Sequence, residues 1–118
     1  RRDINIFYTS YFIKNKDVKT LTEKSNKYFS NHWLSCIELK CDDAEFKLER
    51  IRKSLDTNNI ESRFLWKPMH LQPIFKDKPY YGANVSEKLF RSGLCLPSGS
   101  NLNNNVLNKI SSIIHKLL

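Results

Sequence analysis

The chain has 118 residues, with 40% hydrophobic residues, 27% charged residues and a formal net charge of +8. This length fits one domain that buries about 65% of the unfolded surface, and the hydrophobic fraction excludes a disordered chain. No run of 18 apolar residues occurs, so the sequence predicts no membrane-spanning helix.

The positive charge favours an anionic partner such as nucleic acid, a phosphate or an acidic surface. However, the chain is rich in Lys, Asn and Ile together, and a compositional bias of a whole proteome would give the same surplus. The cysteines Cys36, Cys41 and Cys95 are odd in number and form no C-x-x-C pair. This pattern argues against a disulfide scaffold or zinc site and predicts a reducing, cytoplasmic location.

The first predicted element is a helix over residues 1–15. Apolar residues recur there at helical spacing, namely Ile4, Tyr8, Tyr11 and Phe12. No capping residue precedes Arg1, and two arginines occupy the positive end of the helix dipole, where cations are unfavourable. We therefore expect the native helix to begin upstream of Arg1.

A polar stretch over residues 16–30 leads to a predicted strand over residues 33–39. Asp42 and Asp43 are suitable caps for a second helix, which we expect to end near Asn58 and Asn59. Its inner stripe is Ala44, Leu48, Ile51 and Leu55. An extended segment over residues 60–66 and a loop over residues 67–81 follow, since Pro68 and Pro73 exclude regular helix or central strand there.

Asn84 and Glu87 have the spacing of a capping box, which predicts a short helix that ends at Gly93 as its C′ residue. Residues 94–96 then form a predicted strand. Asn101 or Asn103 is expected to cap the last helix, whose apolar stripe is Val106, Ile110, Ile113, Ile114 and Leu117. The element order predicts a two-layer α/β sandwich, a small sheet covered by helices, without deciding how the strands pair.

Common catalytic motifs are missing from the sequence, which has no H-E-x-x-H, no glycine-rich phosphate loop and no G-x-S-x-G. The loop that begins at Trp66 carries more chemistry. Trp66 offers a flat apolar face, Lys67 a charge for phosphate, and His70 and Gln72 directional hydrogen bonds, which together suit a planar, anionic ligand. Alternatively, this is a surface loop whose Trp66 and Met69 pack into the core.

Three segments resemble the small domain of the DegT-type (DegT/DnrJ/StrS) sugar-nucleotide aminotransferases. They are SNHWL at residues 30–34, IESRFLWKPMHLQP at residues 60–73 and LFRSGLCLPSGS at residues 89–100. The segments follow the order and spacing of that family, and the resemblance covers residues 30–118.

The resemblance implies an α+β fold with a small, mostly antiparallel sheet, as in the small domain of fold type I transferases. It implies a homodimeric, cytoplasmic enzyme that depends on pyridoxal 5'-phosphate and moves an amino group from glutamate to a nucleotide-linked keto-sugar. Such products enter polysaccharide and glycan biosynthesis. The chain would be the C-terminal small domain, with residues 1–15 as the end of an interdomain helix.

The resemblance also implies that the cofactor lysine belongs to a large domain absent from these residues. We therefore expect no catalytic, cofactor-binding or metal-binding residue here, and no activity from the chain alone. The predicted substrate-binding residues are Arg63, Lys67, His70, Gln72 and Asn31. Trp33 is expected in the core, and the turn over residues 97–100 is expected to connect strand and helix.

Two other functions remain open from the sequence. One is a separate basic α/β module that binds nucleic acid, which is disfavoured because the positive residues are scattered and no RNA-recognition motif occurs. The other is a non-catalytic remnant with a structural role.

Overall fold

All 118 residues are described by a computed structural model. The helices are α1 (Arg2–Phe12), α2 (Ala44–Thr57), α3 (Val85–Ser92) and α4 (Asn104–His115), and the strands are β1 (Val18–Thr20), β2 (Ser35–Leu39), β3 (Arg63–Phe64) and β4 (Gly93–Leu96). Two short 3-10 turns, Met69–Leu71 and Pro73–Phe75, interrupt the proline-rich loop. No helix has the length and apolar character needed to cross a membrane.

The four strands form one antiparallel sheet in the order β1-β2-β4-β3. This confirms the predicted α+β class with a small antiparallel sheet. Strand β1 lies within the polar stretch over residues 16–30, for which the sequence predicts no strand, and it pairs Val18 with Leu39 at the edge of the sheet. The extended segment over residues 60–66 contributes only the two residues of β3.

One face of the sheet packs against α1, α2 and α4. Ile37 of β2 and Leu94 of β4 are register partners, and both are fully buried in the core. The helical core residues are Ile4, Tyr8, Phe12, Ala44, Leu48, Ile51, Leu55, Leu107, Ile110 and Ile114. The predicted stripes of α1 and α2 are largely confirmed, whereas in α4 Leu107 is buried and Val106 is exposed.

The prediction that Gly93 ends α3 as a C′ residue is wrong. Its backbone is extended, with φ −118° and ψ 143°, so α3 passes directly into β4 without a left-handed C′ residue. A Cβ on Gly93 would lie 2.1 Å from Leu65 Cδ1 and 2.6 Å from the Leu89 carbonyl oxygen. Glycine is therefore required here for close packing rather than for ending a helix.

The predicted capping box at α3 is also wrong. Asn84 occupies the N-cap position but its side chain makes no capping hydrogen bond, and Glu87 bonds elsewhere. At α4 the choice between two asparagines is resolved, because Asn103 Oδ1 accepts a hydrogen bond from the Val106 amide at 3.1 Å.

Candidate functional site

The largest cavity is an open groove of about 730 Å³ beside β3, the end of β4 and the first turns of α4. We call it the edge groove. It is lined mainly by apolar side chains, with Arg63, Glu61 and Ser98 among the polar residues. An apolar groove with few polar groups is the usual form of a small-molecule site.

An aromatic pair borders the edge groove. Trp33 and Trp66 stack with ring centroids 5.9 Å apart and an interplanar angle of 27°, although they are 33 residues apart in the chain. Both are exposed, at 58% for Trp33 and 64% for Trp66, and Met69 is also exposed. The expectation of a core position for Trp33, and the alternative that Trp66 and Met69 pack inside, are therefore wrong.

Arg63 is the predicted site residue that lines the edge groove. It lies in β3, opposite Cys95 of β4, and its side chain is largely exposed. Arg63 Nε donates a hydrogen bond to Glu61 Oε1 at 2.7 Å. An exposed ion pair of this kind contributes little free energy, so the guanidinium is free to exchange Glu61 for an incoming anion.

The other predicted site residues lie outside the groove lining. Lys67 is exposed in the loop after Trp66. Gln72 Nε2 lies 3.5 Å from both the Lys67 carbonyl oxygen and Met69 Sδ. The Gln72 amide therefore contacts the start of its own loop rather than the groove. Asn31 is exposed, and its Oδ1 accepts a hydrogen bond from the Trp33 amide at 3.1 Å, which shapes the approach to the aromatic pair.

His70 is held inside the loop rather than pointing into the groove. Its Nε2 lies 2.9 Å from Glu87 Oε1 of α3, and its ring stacks on Tyr80 with centroids 3.7 Å apart. Tyr80 in turn donates its hydroxyl to the Ala83 carbonyl at 2.8 Å. These contacts explain why Glu87 does not close a capping box, since its carboxylate binds the imidazole.

A second polar cluster was not predicted from the sequence. Glu23 accepts hydrogen bonds from Arg2 of α1 at 2.8 Å and from the Ser30 amide at 3.1 Å, and its other oxygen lies 2.9 Å from His32 Nε2. The Arg2 guanidinium, followed by backbone amides and His32, lowers the pKa of Glu23 to about 2. His32 has a left-handed backbone with φ 45°. The sequence does not predict this cluster, because Arg2, which lowers the pKa of Glu23 most, lies in helix α1.

The lysines of this chain do not have the environment that a Schiff-base lysine needs. Lys47 is the least exposed lysine of the chain, with its side chain 22% exposed, and its hydrogen bond to Asp43 raises its pKa. All the other lysines are exposed. A lysine that forms a Schiff base needs the opposite, a desolvated amine with a lowered pKa. No group of three or more His, Cys, Asp or Glu side chains is placed to hold a metal ion.

Comparison with known proteins identifies relatives along nearly the whole chain. The model of the DegT/DnrJ/EryC1/StrS aminotransferase family matches residues 1–115. A curated relative from Bacillus subtilis (strain 168), "Putative pyridoxal phosphate-dependent aminotransferase EpsN", is 37% identical over 89 residues, which are 72% of this chain and 22% of that protein.

Solved aminotransferases have the same fold. PseC from Helicobacter pylori, an aminotransferase involved in the biosynthesis of pseudoaminic acid, superposes with a TM-score of 0.78 at 21% identity, over 98% of this chain and 31% of that one. The aminotransferase TlmJ from Streptoalloteichus hindustanus gives 0.80 at 14% identity, over 98% of this chain and 30% of that one. The chain thus spans less than a third of the length of these relatives.

Proposed function

Because the chain belongs to the DegT/DnrJ/EryC1/StrS aminotransferase family, we propose that it is the C-terminal small domain of a pyridoxal-phosphate-dependent sugar aminotransferase. The single observation that carries this proposal is the family match over residues 1–115. The enzyme would transfer an amino group from glutamate to a nucleotide-linked keto-sugar for polysaccharide or glycan biosynthesis. We further propose that it acts in the cytoplasm as a homodimer.

The residues of this chain do not fit the cofactor by themselves. Its most enclosed lysine, Lys47, is paired with Asp43, and its pKa is raised rather than lowered. We therefore propose that the lysine and the carboxylate that hold pyridoxal phosphate belong to a large domain outside residues 1–118, and that this chain alone does not catalyse amino transfer.

The contribution of this chain would be to bind and orient the nucleotide-linked sugar at the mouth of the active site. The exposed pair Trp33 and Trp66 offers a flat apolar surface for a planar base or a sugar ring. Arg63 is placed in the same groove to bind a phosphate or carboxylate with two parallel hydrogen bonds. Lys67 adds a second positive charge in the adjacent loop.

The remaining predicted site residues fit positioning roles better than direct contacts. His70, bound to Glu87 and stacked on Tyr80, holds the loop that carries Lys67. Gln72 and Asn31 make hydrogen bonds that fix the backbone beside Lys67 and Trp33. All three would therefore influence substrate binding through the shape of this surface.

Titration with pyridoxal phosphate tests the proposal that no lysine of this chain binds the cofactor specifically. With the 118-residue chain, pyridoxal phosphate is expected to give only slow, scattered adducts on exposed lysines, located by borohydride reduction and peptide mapping. A stoichiometric aldimine band that disappears when one lysine is replaced would contradict the proposal.

Kinetics of the full-length enzyme that contains this chain test the binding role. Arg63→Ala is expected to raise the KM for the nucleotide sugar about tenfold or more, because a charge-assisted hydrogen bond is lost. The KM for glutamate should change far less. Arg50→Ala, which removes an exposed arginine of α2, is the matched control. Equal effects of Arg63→Ala on both substrates would count against the assignment.

A further inference from the structure

Two of the three cysteines are direct neighbours across the sheet. Cys36 of β2 and Cys95 of β4 are register partners, and their sulfur atoms are 3.7 Å apart. Both are free thiols. Cys41 lies beyond the end of β2, and its sulfur is 3.7 Å from Lys47 Nζ, so it takes no part in this pair.

The backbone hydrogen bonds define the type of this cross-strand pair. The Cys36 carbonyl accepts from the Leu21 amide, so the polar backbone groups of Cys36 point toward β1 and away from β4. The Gly93 carbonyl accepts from the Leu65 amide, and Cys95, two residues later, therefore also points its backbone groups toward β3. Cys36 and Cys95 thus form a non-hydrogen-bonded pair, in which the Cα atoms are about 4.5 Å apart. That separation lies within the range that a disulfide spans.

The surroundings of the two thiols differ. Cys95 is the more buried thiol, at 6% exposed, and it lines the edge groove, whereas Cys36 is half-buried and does not line that groove. The Cys36 thiol donates its hydrogen bond to Cys95, and this bond together with burial raises the pKa of Cys36. Accepting the same bond lowers the pKa of Cys95. The position of Cys95 in the wall of the edge groove and its lowered pKa both favour Cys95 as the sulfur that meets a small oxidant.

We propose that Cys36 and Cys95 form a redox-sensitive dithiol, which a hydroperoxide such as hydrogen peroxide converts into a cross-strand disulfide. This inference does not depend on the proposed function. In the first step, the Cys95 thiolate attacks one oxygen of the peroxide. An S–O bond forms, which makes Cys95 a sulfenic acid, the O–O bond breaks, and the released hydroxide takes up a proton to form water.

In the second step, the Cys36 thiol loses its proton and attacks the sulfur of the Cys95 sulfenic acid. The S–S bond forms, the S–O bond breaks, and the hydroxide leaves as a second water. Two thiols are oxidised by two electrons and one peroxide is reduced to two waters. The product links the two central strands of the sheet at the wall of the edge groove.

Mass spectrometry of the 118-residue chain tests the proposal directly. After treatment with one equivalent of hydrogen peroxide, peptide mapping should join the Cys36 peptide to the Cys95 peptide, with the loss of two hydrogen atoms from the linked pair. Because the link closes a long loop, the melting temperature should rise by at least about 5 °C, and a thiol reductant should reverse both changes. Cys41→Ser is the matched control and should behave like the unmodified chain.

Replacing Cys36 tests whether Cys36 and Cys95 react as a pair or as independent thiols. In Cys36→Ser, oxidation at Cys95 should stop at a sulfenic acid that a cyclic 1,3-dione traps, and no shift in melting temperature should follow. A disulfide that includes Cys41, or addition of oxygen atoms to the unmodified chain without a Cys36–Cys95 link, would overturn the proposal. Since the mapping uses the unmodified chain, the test does not depend on the folding of any variant.

Discussion

Glu23 joins the segment before β2 to helix α1. One of its oxygens binds Arg2 and the Ser30 amide, and the other lies beside His32, which is 7% exposed. Arg2 also donates to the Ser30 carbonyl, so the same guanidinium holds both sides of the turn. A single carboxylate thus orients the residues that lead to Trp33 and the edge groove.

This geometry predicts a defined dependence of stability on pH. Arg2 above all, then backbone amides and His32, lower the pKa of Glu23 from 4.5 to about 2. A carboxyl whose pKa is lower in the folded state stabilises the fold above its unfolded pKa, and this contribution is lost as pH falls from about 4.5 toward 2. Glu23→Gln should therefore lower the melting temperature at pH 7, and the difference from the unmodified chain should shrink below pH 4.

Thermal unfolding monitored by circular dichroism at several pH values measures this difference. Asp77→Asn is the matched control, because Asp77 is exposed in the loop between β3 and α3 and forms no ion pair with another residue. Its melting temperature should follow that of the unmodified chain at every pH. A Glu23→Gln difference that stays constant between pH 7 and pH 2 would show that the charge on Glu23 does not stabilise this turn.

Helix α4 illustrates the elements that the sequence predicts well. Local pattern places most of its apolar stripe and narrows its N-cap to Asn101 or Asn103, although Leu107 rather than Val106 is buried. Asn103→Ala removes the side-chain acceptor of the Val106 amide and should cost about 1 kcal/mol of stability. Asn103→Asp should retain most of it, and Asn101→Ala, which removes no capping bond, should have almost no effect. Chemical denaturation of the three variants measures these values, and equal losses for both alanine variants would contradict the assigned cap.

The elements that sequence analysis missed depend on distant partners. Val18–Thr20 is too short and polar to be recognised as a strand, and it becomes one because β2 offers an open edge. Glu87 has the spacing of a capping residue, but His70 lies close enough to bind it instead. Gly93 follows a helix, as a C′ residue would, yet the close approach of Leu65 and Leu89 explains it. In each case a tertiary contact outweighs a local preference.

At the scale of the whole molecule, the predicted segment over residues 60–73 contributes Arg63 and Trp66 to the edge groove, whereas Lys67, His70 and Gln72 lie outside its lining. The stacking of Trp66 on Trp33 and the ring contact between His70 and Tyr80 were not predicted, because the chain separates these partners widely.

The exposed surface formed by Trp33 and Trp66 should bind apolar molecules, if this chain is one domain of a larger enzyme as proposed. A chain that normally faces a second domain should expose a contiguous apolar patch when studied alone, and such patches bind hydrophobic dyes and favour self-association. We expect the folded 118-residue chain to bind anilinonaphthalene sulfonate at the edge groove. The double variant Trp33→Ser, Trp66→Ser should reduce that fluorescence at least about twofold and weaken any self-association seen by sedimentation. Phe46→Ser is the matched control, because Phe46 is 67% exposed, close to the 64% of Trp66, but lies on α2 and does not line the groove. Equal dye binding by the double variant and the control would mean that the groove is not an exposed apolar surface, and the proposal that this surface lies at the active site of a larger enzyme would lose its support.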